Sequence, residues 1–90
     1  KDNYIFMILT EETSRLMFKN MIEEVFPEFD YDIVNYYSED GKAIYDYLEN
    51  RLDSKNVFPK IIYYSNEKLI KQDVVSTKEQ IVEFKDSILK

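Results

Sequence analysis

The chain has 90 residues, 44% of them hydrophobic and 16% aromatic, a formal net charge of −6, and neither cysteine nor histidine. A chain of this length makes one compact domain with one core, hiding roughly 60 to 65% of its unfolded surface. The missing residue types exclude disulfides, zinc fingers, iron–sulfur clusters, haem ligation through His, and Cys–His or Ser–His catalysis, and the acidic balance speaks against nucleic acid, whose phosphates need basic patches.

Tyr4 to Leu9 is a continuous apolar run without alternation, which predicts a strand covered on both faces in the middle of a sheet. It is far short of the roughly 20 residues that cross a bilayer and lacks the pattern of a secretion signal, so a soluble cytoplasmic protein with no membrane contact is expected; a leader removed before Lys1 stays open. Thr10 is the expected cap of the next helix, with Glu11 and Glu12 in its first turn, where the helix dipole favours negative charge. Phe18, Met21, Ile22, Val25 and Phe26 recur at helical spacing, with Leu16 and Met17 adding to that face, and Pro27 ends it.

Tyr31 to Tyr36 alternates in a β-branched and aromatic context and predicts a second strand, broken by Ser38-Glu39-Asp40-Gly41. Ala43, Ile44, Tyr47, Leu48 and Leu52, with Arg51 beside them, predict a second helix that closes in Asp53 to Asn56. Phe58 to Tyr64 follows as a third strand, Ser65-Asn66-Glu67 as a tight turn, and Lys68 to Lys71 as a short edge strand guarded by lysines. Ser76-Thr77-Lys78-Glu79 reads as a capping box opening a last helix with Ile81, Phe84 and Ile88, plus Val82 and Leu89, on its apolar face.

Two strand–helix–strand units predict parallel neighbours joined by right-handed crossovers, and the three-residue turn makes the last pair antiparallel. The expectation is a single α/β domain over residues 1–90, ordered β-α-β-α-β-β-α, with a four-stranded mixed sheet flanked by three helices. A ferredoxin-like arrangement has no place for a helix after two adjacent strands.

Val57-Phe58-Pro59-Lys60-Ile61-Ile62 resembles the start of the strand in glutaredoxins where a proline follows a cis peptide bond. With the element order, the chain resembles the glutaredoxin and thioredoxin superfamily as a divergent member. The resemblance implies a cis bond at Pro59. It also sets Glu12-Thr13-Ser14-Arg15 where the family carries C-x-x-C, Leu9 where it carries a basic residue, and Ile70-Lys71 or Lys71-Gln72 where it carries Gly-Gly. It carries over no catalytic residue, and it weakens glutathione recognition.

A redox-inactive, cofactor-free domain that binds another protein is therefore expected, through Thr10, Glu11, Glu12, Thr13, Ser14, Arg15, Phe58 and Pro59. Extended ligands gain main-chain hydrogen bonds beside such a proline, while Glu12 and Arg15 are spaced for an ion pair on one helix turn. The bland account of these residues is a solvated helix start and a proline that shapes a strand. The alternative function is an acidic decoy that binds a basic site on a partner; homo-oligomerisation stays open. Eight tyrosines, including the pairs Tyr36-Tyr37 and Tyr63-Tyr64, are expected to bury one member per pair. The acidic groups Glu23-Glu24, Glu28 to Asp32 and Glu39-Asp40 lack the spacing of a calcium loop and read as solvated surface; no metal site is expected. Paired carboxylates for glycoside hydrolysis would need a cleft that a domain of this size rarely offers.

Overall fold

The structure, a computed structural model, describes residues 3–48 and 58–89. The readings at Arg51, Leu52, Asp53 to Asn56 and Val57 lie outside the described residues, as do the side chains of Tyr47 and Leu48. Strand β1 is Asn3–Leu9, helix α1 Arg15–Val25, β2 Asp30–Asn35, α2 Glu39–Leu48, β3 Lys60–Ser65, β4 Lys68–Val74 and α3 Lys78–Ile88, with a 3-10 turn at Glu12–Ser14. Among the described residues these strands form one sheet in the order β2-β1-β3-β4, and no helix is long and apolar enough to cross a membrane.

The unalternating run of β1 is explained by its neighbours on both sides and its cover on both faces. Ile5, Met7, Ile8 and Leu9 have no exposed surface. Ile5, Met7 and Leu9 meet Phe18, Ile22, Ile81 and Phe84 of α1 and α3, while Ile8 joins Val34 and Ile62 on the other face, with Ile44 and Tyr45 of α2 against them. Fully burying a side chain such as Phe18 or Phe84 contributes about 1.5–3 kcal/mol.

Several expectations are corrected. The second strand–helix–strand unit does not make parallel neighbours: β1 pairs with β2 in parallel, but β3 lies on the far side of β1 and runs antiparallel to it. Periodicity locates a helix but not the end of the sheet at which the next strand begins. Thr10 is not a cap; Glu11 precedes the 3-10 turn, without a side-chain cap bond. Ser38 to Gly41 is not a break, because α2 starts at Glu39 and the Ser38 hydroxyl accepts from the Gly41 N–H at 2.9 Å. The last capping box sits one residue later, between Thr77 and Gln80.

Strand β3 starts at Lys60, two residues later than expected, and β4 runs on to Val74. The hairpin between them turns on Asn66 and Glu67, both at positive φ (52° and 65°), the pairing of a primed two-residue turn that matches strand twist. Leu16, Met17, Val82 and Leu89 are exposed rather than part of the apolar faces. Tyr63 and Tyr64 do point to opposite faces, one against each core cluster, but both stay half-buried.

At the open end of β1 the Tyr4 hydroxyl donates to an Asp32 carboxylate oxygen at 2.8 Å. Its pKa is pushed up to about 12, first by burial and then by the bond to Asp32 and the charges of Asp32 and Asp30. A raised tyrosine pKa contributes stability that is complete below the ordinary value near 10 and lost as pH rises through about 12. Spectrophotometric titration is expected to show a late phenolate that Tyr4→Phe removes; an unchanged titration curve would contradict the bond.

Candidate functional site

Because β1 and β2 are parallel, Leu9 and Asn35 finish at the same end of the sheet. The β1–β3 ladder closes at Ile8↔Lys60, so Leu9-Thr10 and Phe58-Pro59 leave the sheet side by side at that end. The predicted residues Thr10 to Arg15 and Phe58-Pro59 thus share one end of the molecule. The Phe58-Pro59 peptide bond is cis, as the resemblance implied, and the Pro59 carbonyl accepts from the Val75 N–H at 3.1 Å.

The stretch after β1 is held locally. The Ser14 N–H and hydroxyl both donate to the Glu11 carbonyl, at 3.2 and 2.8 Å, and the Arg15 N–H donates to the Glu12 carbonyl. The Arg15 guanidinium then forks: Nε and Nη2 donate to the Glu12 carboxylate, the latter at 3.1 Å, and Nη1 donates to the Ile33 carbonyl. That hydrogen bond from Arg15, more than its charge, holds the Glu12 carboxyl below its usual range, with a further bond from Asn35; reciprocally, Glu12 raises the Arg15 pKa. Arg15 therefore ties the helix start to β2, a structural task beyond the ion pair that spacing suggested. Glu11, Glu12 and Thr13 remain exposed, while Thr10, Ser14 and Arg15 are half-buried.

Asn35 organises the neighbouring turn. Its carbonyl accepts from the Ser38 N–H and hydroxyl at 3.0 and 2.7 Å, and its Oδ1 accepts from the Tyr37 N–H at 2.8 Å. Gly41 is buried against this carbonyl so closely that a Cβ would lie 1.8 Å from it.

Phe58 is half-buried beneath α2, its ring 4.8 Å from that of Tyr36 and 6.1 Å from that of Tyr45. Lys60, only 3% exposed, sets its ammonium 5.7 Å from the Phe58 ring and 5.9 Å from the Tyr45 ring, within cation–π reach. Sequence reading missed Lys60; its only signal was a lone cation opening an otherwise apolar strand. The same end carries exposed Leu16, Met17 and Tyr37, which sequence spacing places on an apolar face or in a tyrosine pair. Among the described residues no three potential metal-ligating side chains gather.

A parallel pair of β2 and β1 extended on the far side of β1 by an antiparallel hairpin, a helix that follows the first strand, and a cis proline beside that helix start define a thioredoxin-like fold. Solved structures of that class superpose on nearly the whole chain. A chain from the crystal structure of ferredoxin:thioredoxin reductase in complex with thioredoxin f2 matches with a TM-score of 0.71 at 13% identity, covering 99% of this chain and 79% of its own. Thioredoxin O2 from Arabidopsis thaliana in its oxidised state gives 0.68 at 10% identity, covering 99% and 76%. Thioredoxin f2 of Chlamydomonas reinhardtii gives 0.68 at 12% identity, covering 98% and 81%. No family model matches the sequence, and no curated protein is significantly similar to it. At these identities the likeness establishes the fold, and the sequence settles one point of chemistry: with no cysteine, these residues hold no sulfur nucleophile for thiol–disulfide exchange.

Proposed function

We propose that this domain works without catalysis or cofactor, in the cytoplasm, by binding another protein through Thr10 to Arg15 and the Phe58-Pro59 segment. The observation that carries this reading is a scaffold kept without its reagent. The turn at Glu12–Ser14 is braced to β2 through Arg15 and Ile33, beside a cis proline, and its outer rim of Glu11, Glu12 and Thr13 stays in water. The thioredoxin f2 of one structural neighbour is itself in complex with a partner protein.

Arg15 is a poor probe because of its bond to Ile33. Thr13 is a good one, being exposed and without a hydrogen-bond partner among the described residues. Affinity capture from extract followed by mass spectrometry is expected to recover a specific protein with the native chain and to lose it with Thr13→Arg at an unchanged melting temperature. Equal capture by both chains, or nothing specific with either, refutes the reading.

A second reading, an acidic decoy for a basic site, is favoured by the carboxylates of Glu11, Glu39 and Asp40, which have no ion pair or hydrogen bond among the described residues. It predicts binding that disappears with added salt, since exposed charges are screened over roughly 10 Å at 0.1 M.

A further inference from the structure

We infer that the surface at this end takes a basic, apolar-anchored segment of another protein, seated on Leu16, Met17 and Tyr37; the inference rests on the protein-binding reading above and names the partner's chemistry. Tyr37 and Leu16, at 67% and 66%, are the two most exposed large hydrophobic side chains described, and Met17 adds 49%. They stand on the first turn of α1 and on the turn after β2; the Glu12 carboxylate, one turn ahead of Leu16, is bonded by Arg15 and by the Asn35 side chain, whose Oδ1 accepts the Tyr37 N–H, so the two elements meet at one end of the sheet. Apolar surface removed from water contributes about 25 cal/mol per Å², and tyrosine and methionine are enriched where interfaces are fully desolvated.

The charges around these side chains decide what covers them. Elsewhere on α1 the carboxylates are matched: Glu23 pairs with Lys19 and Glu24 with Lys78. Among the described residues Glu11, Glu39 and Asp40 at this end have no such partner. A second copy of the chain, docked symmetrically, would set these carboxylates against each other, and like charges juxtaposed in an interface work against association. An occupant with lysine or arginine flanking leucine or phenylalanine satisfies both the apolar centre and the acidic surround.

The outer face of α3 supplies an internal control, because Glu79, Glu83 and Asp86 are also exposed and, among the described residues, unpaired. Titration of the 15N-labelled chain with a short synthetic peptide of leucines and lysines is expected to shift amide signals of Leu16, Met17 and Tyr37 and their neighbours, leaving α3 still. The same peptide with glutamate for lysine is expected to shift nothing. Leu16→Ser/Tyr37→Ser is expected to weaken the basic peptide by at least about tenfold at unchanged melting temperature, the scale of losing interface anchors. Shifts shared evenly with α3, equal binding of the acidic peptide, no binding of either, or concentration-dependent shifts without peptide each overturn the inference. Thr13-dependent capture of a partner together with a failed peptide titration removes this inference alone, whereas failed capture removes the reading beneath it.

Discussion

Gly41→Ala is expected to lower the melting temperature by roughly 10–20 °C, about 2–3 kcal/mol for a domain of this size. At an ordinary position inside a helix the same change adds about 1 kcal/mol of stability, because alanine loses less backbone freedom than glycine. Here the sign reverses for a steric reason. Gly41 lies in the first turn of α2, and a Cβ on it would lie 1.8 Å from the Asn35 carbonyl oxygen and 2.7 Å from its carbon. That obstacle is backbone, not the yielding tip of a side chain. It is fixed by the Ser38 N–H and hydroxyl, and one residue on, the Tyr36 N–H is bound to the Leu9 carbonyl at 2.7 Å. To admit a methyl group α2 must back away from the sheet, loosening Ile44 and Tyr45 from Ile8, Val34 and Ile62. Ala43→Gly, two residues further along at an exposed position, gives the opposite control and should cost only about 1 kcal/mol. Thermal unfolding followed by circular dichroism separates the two; a Gly41→Ala chain as stable as the native one would mean that helix and strand do not approach so closely.

The same glycine shows where sequence reading succeeds and where it fails. As a lone glycine after Ser38-Glu39-Asp40 it read as a chain breaker, because glycine that serves a close approach and glycine that serves a turn look alike in one dimension. The burial of β1 was legible, since a strand with neighbours on both sides and cover on both faces carries a continuous apolar run such as these six residues. The inner positions of α1 and α3 were legible too, through Phe18, Ile22, Ile81 and Phe84. Their ends were not: Leu16 and Leu89 continue the apolar composition beyond the stretch that the sheet covers, and composition does not say where a neighbour stops. The direction of β3 escaped for a similar reason. Turn chemistry makes β3 and β4 antiparallel, but nothing local tells β3 on which side of β1 to lie. Of the candidate site, the proline segment was legible through its resemblance. Lys60 beneath Tyr45, and the tie from Arg15 to Ile33, were not, because each joins residues of different elements.

Glu12→Cys/Arg15→Cys is expected to give this thiol-free domain a working dithiol, with Glu12→Ser/Arg15→Ser as the reference that loses the same ion pair and the same bond to Ile33. The warrant is local geometry. Residues three apart eclipse one another in a 3-10 turn, and the Arg15 N–H closes that turn on the Glu12 carbonyl, which brings the two Cα atoms within about 7 Å, at the limit of disulfide reach. The side chain at position 12 is 59% exposed, open to an incoming disulfide. The start of α1 lowers the pKa of a thiol there, while the neighbouring Glu11 carboxylate opposes it, so the thiolate is expected below the free value of about 8.5 but not at the extreme of the most acidic helix-end thiols. Exchange then proceeds in two balanced steps. The thiolate at position 12 attacks a small disulfide and expels one thiolate, and the thiol at position 15, losing its proton, attacks the mixed disulfide and expels the second, leaving the chain oxidised and the substrate reduced by two electrons. Thiol titration before and after oxidation, with thiolate absorbance against pH, reads both steps. Two persistently free thiols, or a first thiol titrating above its ordinary range, would show that the turn after β1 cannot bring positions 12 and 15 together.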